Sequence, residues 1–126
     1  MFKITPIQDK DLQKKICDLC RAEYRPDAFA YQMFDIESGE IMGMSQFEIS
    51  ETGYIYDIKE APGRDDFEAM FILARQTMNF IEGCGAHICH ADDKAADHAF
   101  LKSVGFNDQL VCDMTGMFDG HCGCEQ

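Results

Sequence analysis

The sequence lacks any long hydrophobic run. Its longest strongly apolar stretch, residues 69–74, is far shorter than the roughly 20 residues that a membrane-spanning helix requires. The first residues, Met-Phe-Lys-Ile-Thr-Pro-Ile-Gln-Asp, also lack the shape of a signal peptide. We therefore expect a cytoplasmic protein that does not bind membranes.

Positive charge is scarce as well. Eleven lysines and arginines stand against 23 aspartates and glutamates, which gives a formal net charge of −12. A field of this sign repels the phosphate backbone of nucleic acids and the headgroups of anionic lipids. The charge balance therefore argues against nucleic acid as a partner and slightly favours a cationic amine.

Cysteine is too sparse and too irregular for a disulfide scaffold. Seven cysteines are an odd number, and in a cytoplasmic chain most should be free thiols that fill small core positions. Cys17 and Cys20 form a C-x-x-C pair, but the pair falls late in a predicted helix, whereas a thioredoxin-like redox pair opens a helix after a strand. We expect these two thiols to be structural.

Metal-binding residue types are present without a metal-binding spacing. No set has the C-x₂-C…C-x₂-C pattern of a four-ligand site, so no metal site is assigned. A thiol or metal-binding protein nevertheless stays open as an alternative, and its candidate ligands are His87, Cys89, His121, Cys122 and Cys124.

One stretch organises the chain. Residues 54–59 alternate apolar and polar side chains as a strand does, and a Pro-Gly turn at 61–63 ends them. Apolar residues then recur at helical spacing over 67–81, with Asp65 or Asp66 as the N-cap and Gly83 or Gly85 at the stop. A strand, a turn and a helix N-terminus in this order commonly bind anions in α/β proteins.

The remaining patterns predict further elements on both sides of this unit. At 126 residues the chain fits one domain, which we place at 1–118, followed by a flexible tail at 119–126. The predicted elements are a strand at 2–7, a helix from Asp9 to about Glu23, strands at 28–35, 40–50 and 86–90, a helix from Asp92 or Asp93 to Gly105, and one long final strand at 106–118. This order predicts an α+β fold in which helices flank a mixed, mostly antiparallel sheet with one parallel strand pair.

At this point the chain resembles the GNAT acyltransferase superfamily. The residues that carry the resemblance are Phe100-Leu101-Lys102-Ser103-Val104-Gly105-Phe106, similar to the family's helix that ends in Gly-Phe, and the order of the elements. The resemblance implies an acyl-CoA N-acyltransferase fold, with acetyl-CoA as the cofactor between the central strand and its parallel neighbour.

The family's motif Gln/Arg-x-x-Gly-x-Gly/Ala opens the central helix and holds the cofactor's pyrophosphate on backbone amides. Here its register implies cofactor contacts by Arg64, Asp65, Asp66, Phe67, Glu68 and Ala69, and Lys94 stands where an asparagine commonly contacts the cofactor. Arg64 and Ala69 match the motif, whereas Phe67 replaces its first glycine. Leu101 replaces the tyrosine that often serves as general acid.

Three residues are candidates for proton transfer. His90 should lie at the carboxyl end of the strand that runs parallel to the central strand, and histidine is a common general acid or base. It could equally be a strand-end histidine bonded to Asp92 or Asp93. Asp57 and Glu60 on the central strand could activate an amine through water, as acidic residues there are thought to do in related enzymes. The structural alternative for both is a solvated strand face.

The resemblance implies that the protein transfers an acetyl or acyl group from acyl-CoA to an amine of a small molecule or peptide. A non-catalytic binding or regulatory module that has lost CoA binding is the alternative, consistent with Phe67, Leu101 and the acidic turn. A homodimer formed through the sheet edge or the last strand is also an open alternative.

Overall fold

The computed structural model describes residues 1–118, so the predicted tail at 119–126 lies outside the described residues. The described chain follows the predicted order of elements. They are β1 (Phe2–Pro6), α1 (Lys10–Cys20), β2 (Phe29–Asp35), β3 (Ile41–Ile49), β4 (Gly53–Glu60), α2 (Phe67–Gly83), β5 (Ile88–Ala91), α3 (His98–Val104) and β6 (Val111–Asp113). Within residues 1–118, none of the helices has the length and apolarity that a membrane span needs.

The strands form one mixed sheet in chain order, β1-β2-β3-β4-β5-β6. Strands β1 to β4 make an antiparallel meander, β4 and β5 are parallel, and β6 returns antiparallel to β5. The parallel pairing is short, because it joins only Gly53–Ile55 to Cys89–Ala91. The predicted mixed sheet with one parallel pair is confirmed.

A bulge in β4 changes which side chains face each side of the sheet. Phe47 pairs with Ile55 and Gln46 pairs with Asp57, so Tyr56 is an extra residue on β4. A bulge of this kind bends the strand and redirects the side chains that follow it. As a result Asp57 lies on the α1 side of the sheet, where it bonds to Gln46.

Helices cover both faces of the sheet. On one face, α2 buries Leu73, Met78 and Ile81 completely against the sheet. The packing is so close that a Cβ on Gly53 would lie 2.4 Å from Ile81 Cγ2, so β4 requires glycine there. On the other face, α1 buries Ile16 in a second cluster with residues of β2 and β3.

The predicted helix starts are confirmed for α1 and α2. The Asp9 carboxylate accepts from the N–H groups of Asp11 and Leu12, and the Asp66 carboxylate accepts from the N–H of Ala69. The α1 helix ends at Cys20, earlier than predicted, because Arg21 adopts the left-handed conformation with φ of 64°.

The predicted start of α3 was wrong. Asp97, rather than Asp92 or Asp93, caps this helix. Asp92 instead forms a local turn, in which its side chain accepts from the Lys94 N–H and its carbonyl accepts from the Ala95 N–H. The segment before α3 is therefore irregular, and it lies beside β4, where the Ala95 carbonyl accepts from the Ile58 N–H.

The long final strand predicted at 106–118 was also wrong, since β6 covers only Val111–Asp113. The Asn107 side chain accepts from the N–H groups of Gln109 and Val111, and Leu110 has φ of 60°. Asparagine commonly makes such side-chain turns, and they interrupt an extended strand. A second turn at Met114–Met117 ends the strand on its other side.

Candidate functional site

The parallel strands separate just past their short pairing. The Asp92 N–H still donates to the Ile55 carbonyl at 2.8 Å, and the chain next meets β4 where the Ile58 N–H donates to the Ala95 carbonyl at 2.9 Å. The Ala61 N–H donates to Met42 of β3, so the alternation of an antiparallel ladder turns the Ile58 carbonyl and the Glu60 N–H away from β3. Backbone groups of β4 therefore face the space beside the strand.

That space is a cleft of about 540 Å³, which we call the α2 cleft. It is bounded by β4 at 58–60, by the start of α2 at Asp65, Phe67 and Met70, and by the segment 94–100. Its lining mixes apolar side chains with the charges of two lysines and three carboxylates. Such a cleft suits a ligand that is apolar in one part and polar in another.

The chain's own carboxylates occupy the start of α2. Glu60 Oε2 accepts from the Asp66 N–H at 2.7 Å, and Asp66 Oδ1 accepts from the Ala69 N–H at 3.1 Å. Each carboxylate satisfies an amide that the helix leaves unpaired and lies at the positive end of the helix dipole. An anionic ligand at this helix start would compete with Glu60.

Two other predicted cofactor contacts lie at the periphery of this helix start. The Arg64 guanidinium pairs with Glu40 at 3.3 Å and is not among the residues that line the α2 cleft. Glu68 also faces outward, beside Phe71 and Ile72. The structure therefore brings Glu60, Asp65, Phe67 and Lys94 together in the cleft and leaves Arg64 and Glu68 outside it.

Phe67, which replaces a glycine of the family motif, forms part of the cleft wall. Its side chain is 55% exposed, and its ring lies 5.7 Å from the ring of Phe100 in an edge-to-face arrangement and 6.1 Å from that of Phe71. Edge-to-face aromatic contacts of this kind are favourable. The benzyl group is thus held against α3 and lines the cleft.

A second cleft, of about 220 Å³, lies at the α1 side of β4. We call it the α1 cleft. The segment after α1 contributes Arg21, Glu23 and Arg25, and β4 contributes Tyr56 and Asp57. Sequence reasoning did not find this cleft, because its residues are distant in sequence and only the sheet brings them together.

Lys59 and Lys94 line both clefts. The Lys59 ammonium donates to the Lys94 carbonyl, which ties β4 to the segment after β5. The two clefts therefore share these two lysines, beside the point where β4 and β5 separate.

Asp57 is the predicted catalytic residue that the structure places most specifically. It is 6% exposed, and its Oδ2 accepts from Gln46 Nε2 at 2.8 Å. Burial raises the pKa of the Asp57 carboxyl above its usual value, although the hydrogen bond from Gln46 acts in the opposite direction. A buried carboxylate with a raised pKa beside a cleft is a candidate base.

A buried network holds Asp57 in place. Gln46 Oε1 accepts from Gln13 Nε2 at 2.9 Å and from the Arg25 N–H at 3.1 Å, and Gln46 Nε2 also donates to the Glu23 carbonyl at 2.8 Å. Neither glutamine was predicted from the sequence. A signal was available for Gln13, because it precedes the buried Ile16 and Cys20 by three and seven residues, on the apolar face of α1.

His90 does not reach either cleft. It is paired in register with Tyr54, and it is absent from the residues that line the α1 and α2 clefts. Among residues 1–118, the Asp92 side chain accepts from the Tyr54 hydroxyl and the Lys94 N–H, both at 2.9 Å, and the Asp93 side chain pairs with the His98 ring. The predicted alternative, a hydrogen bond from His90 to Asp92 or Asp93, is not observed.

The buried thiols are poor nucleophiles. Burial raises the pKa of Cys17 to about 12 and that of Cys20 to about 11, so both are protonated near neutral pH. Cys89 is fully buried, and its pKa likewise rises to about 12.

The candidate metal ligands do not form a cluster in the described part of the chain. His87 pairs with Glu82 at 2.9 Å. Among residues 1–118, no group of three or more metal-ligand side chains comes together, and the candidate ligands His121, Cys122 and Cys124 lie outside that range.

Comparisons with known proteins identify the fold. No protein-family model matches the sequence, and the search of curated proteins also found no match. Solved structures do match, and all those named here are 20% identical or less. An IAA acetyltransferase from Bacillus cereus has a TM-score of 0.69 and 17% identity, and the match covers 85% of this chain and 77% of that one. The ribosomal-protein-S18-alanine N-acetyltransferase from Escherichia coli has a TM-score of 0.66 and 14% identity, over 85% and 78% of the two chains.

A third matching structure was solved with acetyl coenzyme A. This protein, described as a streptothricin acetyltransferase from Bacillus anthracis, has a TM-score of 0.54 and 17% identity, over 66% of this chain and 50% of that one. Other matches are titled as GNAT-family acetyltransferases. The chain has the fold of the GNAT acetyltransferases.

Proposed function

We propose that this protein transfers an acyl group, such as acetyl, from acyl-CoA to an amine. The observation that carries the proposal is the pair of clefts beside β4 that share Lys59 and Lys94 in their walls, where β4 and β5 separate. Acyl transfer needs two substrates held so that their reacting atoms are adjacent. The fold likeness to acetyltransferases, one of them solved with acetyl coenzyme A, supports the same assignment.

In this proposal acyl-CoA binds in the α2 cleft. The Ile58 carbonyl and the Glu60 N–H can pair with the amides of the ligand's pantetheine arm, as a neighbouring strand would. Lys59 and Lys94 line the cleft, and their positive charge favours an anionic ligand in a chain that is otherwise strongly acidic. At the start of α2, Glu60 must leave the Asp66 N–H before a pyrophosphate can bind the backbone amides of 64–69.

Asp57 is the base in this proposal. When bound, acyl-CoA supplies the acyl group as a thioester, which an uncharged amine can attack. The Asp57 carboxylate removes a proton from the amine nitrogen, directly or through one water molecule. Gln46 positions the carboxylate, and burial raises its pKa, which makes it a stronger base than an exposed aspartate.

The leaving group does not require a protein acid. The amine nitrogen forms a bond to the acyl carbon and the carbon–sulfur bond breaks, while Asp57 receives the proton from nitrogen and later releases it to water. The sulfur takes up a proton from water, since a free thiol has a pKa of about 8.5 and leaves readily as thiolate. This accounts for the buried Leu101 at the position of the family's tyrosine.

We assign Glu60 and His90 roles that differ from the role of Asp57. Glu60 binds the start of α2, on the opposite side of the sheet from the α1 cleft, so we assign it to control of cofactor binding. His90 lies outside both clefts, so we assign it no direct contact with either substrate.

One observation favours a second candidate function. The contact between Glu60 and the Asp66 N–H satisfies the helix start without any ligand, as expected of a GNAT-fold binding module that has lost CoA. The two candidates differ in a single property, the affinity for acyl-CoA.

Calorimetric titration with acetyl-CoA tests the proposal, with Lys94→Glu and the matched control Lys14→Glu on the exposed face of α1. We expect micromolar binding to the wild type and to Lys14→Glu, and about tenfold weaker binding to Lys94→Glu, because the substitution replaces an attractive charge by a repulsive one. No binding to the wild type at millimolar acetyl-CoA would overturn the enzyme assignment and support the module.

A further inference from the structure

The α1 cleft concentrates positive charge in a strongly acidic chain. The whole sequence has eleven lysines and arginines. Four of them line this one cleft, namely Arg21, Arg25, Lys59 and Lys94. Among residues 1–118, Arg21, Lys59 and Lys94 form no ion pair with a carboxylate. Arg21 and Arg25 line this cleft and not the α2 cleft, and two such cations in a chain of net charge −12 favour a ligand with an anionic group.

Arg25 is the most firmly placed of these cations. Its guanidinium carbon lies 4.1 Å from the centre of the Tyr56 ring, and its backbone N–H is bonded to Gln46. Its Nε is buried and lacks a hydrogen-bond partner among residues 1–118. Its ion pair with Glu23 is loose, at 3.7 Å, and the Glu23 side chain is 78% exposed. The guanidinium is therefore held in place with donor capacity left for a ligand.

Carboxylates line the same cleft. Asp57 is fixed by Gln46, and Asp92 accepts from the Tyr54 hydroxyl at 2.9 Å and from the Lys94 N–H at 2.9 Å. These groups suit the amino end of a ligand, whereas the arginines suit an anionic end. A guanidinium matches the planar geometry of a carboxylate, with which it can form two parallel hydrogen bonds.

We propose that the acceptor is a small molecule that carries both an amine and a carboxylate, such as a free amino acid, with its amine at Asp57 and its carboxylate at Arg25. The small volume of the cleft, about 220 Å³, agrees with a ligand of this size. This inference rests on the proposed function, because it names the acceptor of the same reaction.

The test compares matched ligands that differ in one charged group. Each of the common amino acids is offered with acetyl-CoA, beside its carboxamide, which keeps the amine and loses the carboxylate charge. We expect at least one amino acid to be acetylated, with kcat/KM about tenfold or more above that of its carboxamide, because a charged hydrogen-bonding partner is lost. Calorimetry with the same pairs in the absence of acetyl-CoA should give the same ranking of affinities.

Variants of Arg25 test whether this residue causes the preference for a carboxylate. Arg25→Gln should raise the KM and the dissociation constant for the amino acid about tenfold, leave those for its carboxamide unchanged, and leave acetyl-CoA affinity unchanged. Arg25→Lys should retain part of the preference, and the exposed Lys14→Gln should behave as wild type. Circular dichroism establishes that each variant is folded, and Arg21→Gln provides a second test should Arg25→Gln not fold.

The outcomes separate this inference from the proposed function. Equal use of amino acids and carboxamides, or acetylation of carboxylate-free amines alone, would overturn the inference and leave the acyltransferase standing. Binding of acetyl-CoA with no binding of any amino acid would also overturn the inference. Binding of amino acids without any binding of acetyl-CoA would overturn the acyltransferase and leave the α1 cleft as an amino acid site.

Discussion

The two clefts beside β4 are built in opposite ways. In the α1 cleft, Asp57 is buried and fixed by Gln46, which is itself bonded to three further groups. In the α2 cleft, the helix start has two separate contacts, in which the half-buried Glu60 accepts from the Asp66 N–H and Asp66 accepts from the Ala69 N–H. The first arrangement is rigid because several buried groups would lose partners together, whereas the second can open when one side chain rotates.

Under the proposed function, this difference suits the two sides of β4 to separate tasks. A base must be held accurately relative to the proton that it removes. A cofactor with a large anionic end must instead enter and leave, and a carboxylate on the helix start sets an electrostatic cost for its entry. The proposed base thus lies among several buried hydrogen bonds, whereas the proposed cofactor site at the start of α2 has a contact that one side chain can release.

The largest expected effect comes from removing the charge of Asp57. Asp57→Asn keeps an oxygen that accepts from Gln46 but cannot take up a proton, so we expect kcat/KM to fall about 10²- to 10⁴-fold. Steady-state kinetics with acetyl-CoA and an accepted amine measures this. An unchanged rate would show that Asp57 is not the base. The functional contrast between the two clefts would then be wrong as well.

The same variant has a predicted stability effect with a defined sign. Because burial raises the pKa of Asp57 in the folded state, the wild type loses stability as pH rises from the unfolded-state value, about 3.9, through the folded-state value. Asp57→Asn lacks this loss, so its melting temperature near neutral pH should equal or exceed that of the wild type. Melting curves over the acidic range check this, and a variant that melts well below the wild type at neutral pH would contradict it.

The next effect tests whether the α1 cleft is rigid. Gln46→Ala leaves the buried Asp57 carboxylate, Gln13 and the Arg25 N–H without their partner, and we expect a loss of about 3 kcal/mol in the free energy of unfolding. Denaturant unfolding measures it. The matched control Gln109→Ala lies on an exposed turn and should change stability by less than about 0.5 kcal/mol. Equal losses in the two variants would mean that the network contributes little.

The smallest expected effect is on acetyl-CoA affinity, and it tests whether Glu60 opposes ligand binding at the start of α2. Glu60→Gln removes the negative charge from the start of α2, and we expect acetyl-CoA to bind about fivefold more tightly, which corresponds to about 1 kcal/mol. The control Glu68→Gln removes a charge from the same helix turn but outside the α2 cleft, and its effect should be smaller. Equal gains in both variants would show that only the overall acidity of the turn opposes the ligand.

More of the structure around the α2 cleft than around the α1 cleft could be predicted from the sequence. Hydrophobic spacing and an N-cap are local signals, and they predicted α2 with its cap at Asp65 or Asp66 and its stop at Gly83 or Gly85. The structure has Asp66 and Gly83. Local turns defeated the prediction at α3 and β6, where the Asp92 and Asn107 side chains bond to nearby amides instead of continuing a regular element. Asp57 was found as an acidic residue on the central strand, but its role was not separable from that of Glu60.

The sequence by itself determined the order of the elements, the mixed sheet and the acidic character of the helix start, because these follow from periodicity, caps and composition within short windows. Only the tertiary structure decided which face of β4 each carboxylate occupies. One bulge residue, Tyr56, separates the pairing of Ile55 from that of Asp57, and a shift of one residue moves side chains to the other face of a sheet. That shift places Asp57 beside Gln46 and Arg25, from distant parts of the chain, and leaves Glu60 on α2.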